Sequence, residues 1–161
     1  MRIGVVSDTH NNLRNVGRIV ELLNAAGVAR VVHTGDITQA KTLEVLAGLD
    51  APLVGVYGNN DQERHALASA AAELDIRLVD PPLRLHWAAR RIVVVHDPED
   101  LEGGLLEAHE VALHGHTHRL AHEEREGTLV FNPGECAGML RGHNTVGVVD
   151  LARLDVELLH F

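Results

Sequence analysis

The sequence predicts an α/β fold, and three observations carry that prediction. Short apolar strands alternate with runs of helical spacing through the first half of the chain; the first three strands each empty into a turn bearing oxygen or nitrogen donors; and the last third is dense in strand and turn signals. Strands joined by helical crossovers lie parallel and bring their carboxyl ends to one edge of a sheet. Polar side chains at those ends therefore converge.

The first strand, Arg2-Ile3-Gly4-Val5-Val6-Ser7, releases Asp8 and His10 two positions apart, on one face of a turn. Taken alone, that pair reads as a capping Asp followed by a surface His. Asn11-Asn12 offers a cap, and Leu13, Val16, Ile19, Val20, Leu22 and Leu23 recur at helical spacing until Gly27 ends the run. Arg30-Val31-Val32-His33 is a second strand, emptying into Thr34-Gly35-Asp36. The distance from Asp8 to Asp36 suits one strand-helix-strand unit. A helix from Gln39 to Leu46 leads to the third strand, Pro52 to Tyr57, which ends in Gly58-Asn59-Asn60-Asp61. Gln62 to Leu74 reads as an alanine-rich helix, with Asp61 as its cap or as a group that orients Asn60.

Beyond Asp75 the segments shorten. Ile76 to Val79, Leu83 to Trp87 and Arg90 to Val95, broken by Pro81-Pro82 and Ala88-Ala89, predict the beginning of a second sheet. Ile92 to Val95 is continuous enough to be buried on both faces, and it stops at His96. A brief acidic helix from Pro98 to Ala108 leads to Val111-Ala112-Leu113-His114, which ends in Gly115-His116-Thr117-His118. Arg119 to Glu126, Thr128 to Phe131, Thr145 to Asp150 and Leu154 to Leu159 are further strands, with Gly127 and Asn132-Pro133-Gly134 as turns. Glu123 to Glu126 reads as a solvated hairpin tip.

Composition narrows the function classes. A chain of 161 residues, 45% apolar, suits one domain spanning residues 1–161. A formal charge of −9 argues against a broad basic face for nucleic acid or an anionic membrane. No run approaches the ~18 apolar residues of a membrane span, and the lone Cys136 excludes an internal disulfide, so the expectation is a cytoplasmic protein. Tyr57, Trp87, Phe131 and Phe161 are too few for a base-stacking platform. Histidine, by contrast, occurs twelve times.

Asp8, His10, Asp36, Asn59, His96, His116 and His118 all stand at strand ends. Their carboxylates, imidazoles and amide suffice for two metal ions, provided one carboxylate bridges. Mixed oxygen and nitrogen donors without thiolate point to manganese, iron, nickel or zinc rather than calcium, magnesium or an iron-sulfur cluster. Two such ions about 3.5 to 4 Å apart clamp a phosphate oxygen, acidify a bridging water and stabilise the leaving oxygen of an in-line displacement. That is phosphoester hydrolysis.

From Asp8 to Gly134 these motifs match, in order and spacing, the signature of the calcineurin-like metallophosphoesterases, and the chain length resembles their small bacterial and archaeal phosphodiesterase branch. The resemblance implies a four-layer α-β-β-α fold of two facing mixed sheets flanked by helices. It implies that Asp8, His10, Asp36 and His118 hold one metal and that Asp36, Asn59, His96 and His116 hold the other, with Asp36 as the bridge. Two divalent ions are implied, manganese foremost, or iron, nickel or zinc. A metal-bridging hydroxide would then attack a small phosphodiester substrate, with Asp36 and Asn60 as catalytic residues and Asn59 and Asn60 contacting the phosphate. Homo-oligomers are allowed.

The chain departs from the family pattern at three positions. Asn60 stands where the family often has an imidazole, and an amide cannot deliver a proton near neutral pH. Asp97 and Glu135 replace a glycine and a small hydroxyl residue; facing the site, they would disfavour highly charged substrates. His33 and His114 are expected to pack behind the site, and Arg119 and Arg141 are candidates for meeting a phosphate. A rival reading is a scaffold that keeps the fold with little catalysis, as the related retromer subunit does.

Overall fold

Two mixed sheets face each other in the computed structural model, which describes residues 1–161 except 103 and 141. The elements in order are β1 (Arg2–Val6), α1 (Leu13–Ala26), β2 (Arg30–His33), α2 (Ala40–Leu46), β3 (Leu53–Val56), α3 (Arg64–Glu73), β4 (Arg77–Val79), β5 (Leu83–Trp87), β6 (Arg90–Val94), β7 (Val111–Leu113), β8 (Ala121–Arg125), β9 (Thr128–Asn132), β10 (Thr145–Asp150) and β11 (Asp155–His160). The six-stranded sheet runs β11-β10-β1-β2-β3-β4 and the five-stranded sheet β5-β6-β7-β9-β8. Strands β1 to β4 are parallel, as are β6, β7 and β9. Antiparallel strands complete both sheets.

Alternation along each strand sorts its side chains between layers. Ile3, Val5, Val32 and Val56 of the first sheet pack against Ile92, Val94, Leu113 and Phe131 of the second. On the other face of the first sheet, Val6 and Val31 meet Val16, Ile19 and Leu23 of α1. These α1 residues recur at helical spacing; the Asn12 side chain accepts from the Asn15 amide at 3.2 Å, and Gly27 at φ 63° closes the helix. Outside the second sheet, Val93, Val95, Ala112 and Val130 are covered by Leu101, Leu105 and Leu106. Strand β6 is thus buried on both faces, as its unbroken apolar run requires.

Three local expectations change. The Ile76 to Val79 stretch does not begin the second sheet: β4 pairs parallel with β3 in the first, because α3 carries the chain back alongside β3 as a crossover does. The passage to the second sheet comes after it, at Pro81-Pro82. Between Pro98 and Ala108 the described residues hold a 3₁₀ turn, Pro98–Asp100, rather than a continuous helix, since Gly104 takes φ 83°, outside helical geometry. The acidic stretch Glu123 to Arg125 is exposed strand β8, and the turn itself is Glu126-Gly127, both at positive φ. Strands β10 and β11 return to the first sheet beside β1, a placement that alternation alone does not specify. Arg141 lies outside the described residues. Among those described, no helix is long and apolar enough to cross a membrane.

Candidate metal centre

The loops after β1, β2, β3, β6 and β7 meet at one edge, where both sheets present their carboxyl ends. Asp8, His10, Asp36, His116 and His118 all have φ between 44° and 66°, the left-handed region that L residues avoid. Each such residue costs on the order of 1 kcal/mol or more, and non-glycine residues so strained gather at functional sites. Backbone bonds between loops hold them: Asp8 N–H donates to Gly35 O, His10 N–H to Asp36 O and Gly115 N–H to His96 O, each at 3.0 Å. Glycines let the loops approach. A Cβ at Gly58 would lie 2.2 Å from Asp36 Oδ1, and one at Gly115 would lie 1.9 Å from Ser7 Oγ.

Asp61 completes this frame in a way the sequence did not signal. Its buried carboxylate accepts from the Asp36 and Gly58 amides through Oδ2, at 3.0 and 2.7 Å, and from the Thr38 amide through Oδ1 at 2.6 Å. It does not cap α3, whose N-cap is Glu63, and the Asn60 side chain donates to Asp36 rather than to Asp61. It ties the loop after β2 to the loop after β3.

The seven candidate donors fall into two groups divided by Asp36. On one side His10 Nε2 lies 3.2 Å from His118 Nε2 and 3.4 Å from Asp36 Oδ2, while Asp8 Oδ1 lies 3.9 Å from His10 Nε2 and 3.6 Å from His118 Nε2. On the other side His96 Nε2 lies 3.5 Å from Asp36 Oδ1 and 2.8 Å from Asn59 Oδ1, which is 3.1 Å from His116 Nδ1. Atoms of Asp8, His10 and His118 come within 4.8 Å of one another, as do atoms of Asp8, Asp36 and His96.

Hydrogen bonds behind two of the imidazoles set their tautomers. His96 Nδ1 donates to Thr34 O at 2.9 Å, and His118 Nδ1 donates to Glu135 Oε2 at 2.7 Å, so both Nε2 atoms turn bare lone pairs inward. Asp8 Oδ1 is buried with no hydrogen-bond donor among the described residues. Burial pushes the Asp8 carboxyl above the usual carboxylate range, offset in part by the Ser7 hydroxyl that donates to Oδ2. Converging lone pairs beside an undonated buried carboxylate oxygen form a poor hydrogen-bond network and a good cation site.

Glu135 does not face the mouth: it is 2% exposed, and its other oxygen accepts from the Met139 amide at 2.6 Å. Asp97 does reach the edge of the site, with Oδ2 3.7 Å from His116 Nε2, while Oδ1 caps the 3₁₀ turn by accepting from the Glu99 amide. Asn60 is exposed and turns its amide to Asp36, donating from the backbone to Oδ1 at 2.9 Å and from Nδ2 to Oδ2 at 2.7 Å. Arg119, next to His118, is exposed.

His114, His33 and the thiol of Cys136 stand behind these donors. His114 is buried with Nδ1 3.2 Å from Gly115 O. Cys136 donates to Thr145 O, and burial pushes its thiol to about 12, which leaves it unreactive near neutral pH. His33 accepts from the Gly35 amide at Nδ1 and contacts Thr9 Oγ1 at Nε2, and burial lowers its pKa from 6.5 to about 3. The folded protein thus refuses a proton that the unfolded chain accepts below about pH 6.5. His33 costs nothing above that pH and destabilises progressively below it, by about 2 kcal/mol at pH 5. Urea unfolding of the metal-free protein is expected to show that loss between pH 7 and pH 5, and His33→Gln to remove it.

Comparison with known proteins places this geometry in context. The family model for the calcineurin-like phosphoesterase superfamily domain matches residues 1–154. A phosphodiesterase of Methanocaldococcus jannaschii is 32% identical over 157 residues, 93% of each chain. Phosphodiesterase YfcE of Escherichia coli K12 is 27% identical over 184 residues, covering 99% of this chain and 93% of that one. The solved structure of an archaeal phosphodiesterase matches with a TM-score of 0.92 at 29% identity, over 100% of both chains. Vps29 of Entamoeba histolytica matches with a TM-score of 0.71 at 18% identity, over 100% of this chain and 99% of its own, a likeness of fold alone.

Proposed function

Because the chain belongs to the calcineurin-like phosphoesterase superfamily, whose members use divalent metals, we propose that it is a metal-dependent phosphodiesterase with two ions side by side. One observation carries the dinuclear reading: the Asp36 carboxylate turns Oδ2 toward His10 and Oδ1 toward His96, one oxygen to each donor group. Asp8, His10, Asp36 and His118 would hold one ion, and Asp36, Asn59, His96 and His116 the other. Manganese suits this oxygen and nitrogen set, as do iron, nickel and zinc. Bound there, the ions supply Lewis acidity toward a phosphoryl oxygen and lower the pKa of water.

The chain's own groups do the rest. The Glu135 and Thr34 contacts keep His118 and His96 in the tautomer that offers Nε2. Nδ2 of Asn60, which donates to Asp36 Oδ2 at 2.7 Å, is the exposed amide donor beside that carboxylate and would be free to turn to a phosphate oxygen. Asp97, beside His116, adds negative charge at the rim and disfavours a dianionic monoester relative to a diester. A small phosphodiester is therefore the substrate class this reading assigns. Metal-stripped protein given manganese is expected to release 4-nitrophenolate from an aryl phosphodiester faster than from 4-nitrophenyl phosphate; release from neither ester would refute the proposal.

Asn60 also predicts a leaving-group preference. An amide donates a hydrogen bond without delivering a proton, so esters whose leaving group needs protonation react slowly. General acid catalysis is worth about 100-fold or more where the leaving group is poor. Asn60→His is expected to raise turnover of an alkyl diester by at least about tenfold while changing an activated aryl diester little, and an equal effect on both would contradict the assignment.

The scaffold reading has one observation in its favour, the missing imidazole at Asn60, and the Vps29 likeness is compatible with it. The seven convergent donors favour the enzyme, since a docking module needs none of them.

A further inference from the structure

We propose that a cavity beside His118 is a subsite for an uncharged planar aromatic substituent on one arm of the phosphodiester, an assignment that rests on the phosphodiesterase reading. The cavity, of about 280 Å³, is walled by His118, Arg119, Leu120, Leu140, His143 and His160. Whole drug-sized ligands take roughly 300 Å³ and upward, so this space suits one ring of a larger molecule.

Position links it to the chemistry. The His118 ring is a wall of the cavity and also a member of the donor group, with Nε2 3.6 Å from Asp8 Oδ1. The cavity therefore adjoins the donor group through the His118 ring, the one candidate donor in its lining.

The lining selects the occupant. Leu120 is 49% exposed and Leu140 51%, two large apolar side chains left open next to a polar centre. Exposed apolar surface gathered at a site marks a binding surface more than chance. The Arg119 guanidinium makes no ion pair or hydrogen bond among the described residues, and a guanidinium stacks on aromatic faces. His143 and His160 add flat rings. Of the charged groups in the lining, Glu135 repels an anionic arm and the Arg119 guanidinium repels a cationic one, which leaves an uncharged occupant.

The test uses two diesters with a common leaving group, phenyl 4-nitrophenyl phosphate and ethyl 4-nitrophenyl phosphate, with manganese-loaded protein. The phenyl ester is expected to be favoured in kcat/KM by about tenfold or more, the scale of burying a ring against leaving most of the subsite empty. Leu140→Ser and Leu120→Ser, both surface changes, are each expected to shrink that preference several-fold. Inorganic phosphate, which has no arm to place, is expected to inhibit the wild type and both variants with the same constant. Equal rates for the two esters, or a preference that survives in both variants, would overturn the subsite and leave the phosphodiesterase reading standing. No turnover of either ester would overturn both.

Discussion

Asp36→Asn is expected to abolish metal-dependent turnover, by about a thousandfold or more, without unfolding the protein. The carboxylate turns one oxygen to each donor set, Oδ2 3.4 Å from His10 Nε2 and Oδ1 3.5 Å from His96 Nε2. An amide of the same shape carries no charge and must turn its NH₂ toward one of the two imidazoles, so at least one ion loses an anionic donor. Losing several kcal/mol of transition-state charge stabilisation accounts for a rate effect of about that size. The backbone bonds from Asp36 N–H to Asp61 and from His10 N–H to Asp36 O are kept, while of the two bonds that Asn60 donates to the carboxylate an amide can accept only one. Removing one of two neighbouring buried carboxylates also relieves repulsion on Asp8. With one Asn60 bond lost and that repulsion relieved, metal-free Asp36→Asn is expected to melt close to the metal-free wild type, and a melting temperature lower by about 10 °C or more together with lost turnover would indicate a structural role instead.

Glu135→Gln is expected to weaken binding of the ion beside His118 by about 10- to 100-fold, the usual cost of losing a carboxylate behind a metal-binding imidazole. Both Glu135 oxygens accept, one from His118 Nδ1 and one from the Met139 amide. Glutamine has a single acceptor oxygen, so one of those donors must face NH₂. If that donor is His118, the ring moves its proton to Nε2 and the inward lone pair disappears; if it is Met139, the loop that carries Met139 and Leu140 shifts. Titration with manganese reads the affinity, and the ¹⁵N shifts of the metal-free His118 ring read the tautomer. Unchanged affinity with an unchanged tautomer would remove Glu135 from the site.

The parts of this molecule that the sequence revealed are those in which one residue type has one physical use. Short apolar runs that stop at Asp8, Asp36, Asn59 and His96 could only be strands delivering polar groups to an edge, and β1, β2 and β3 do lie parallel and adjacent. The α1 boundaries were legible for the same reason, through Asn12 and Gly27. What was hidden depended on long-range pairing. Nothing local to Arg77–Val79 distinguishes an edge strand of the first sheet from the start of the second, and nothing in Thr145–Asp150 says that it will flank β1. Asp61 and Glu135 were hidden in a different way: each is an acid next to a turn, which reads as a cap or as solvent-facing charge until the loops it binds are brought together. The left-handed backbone at His10, His116 and His118 was equally invisible, because the modest enrichment of histidine in that region does not single out particular positions.

The most direct test of a dinuclear centre is electron paramagnetic resonance of the protein titrated with manganese. Two ions joined through Asp36 are expected to bind to two equivalents per chain and to give the multiline spectrum of an exchange-coupled pair, with diester turnover rising as the second equivalent enters. Saturation at one equivalent, or two equivalents with the six-line spectrum of isolated ions, would contradict the shared carboxylate on which the proposed chemistry depends.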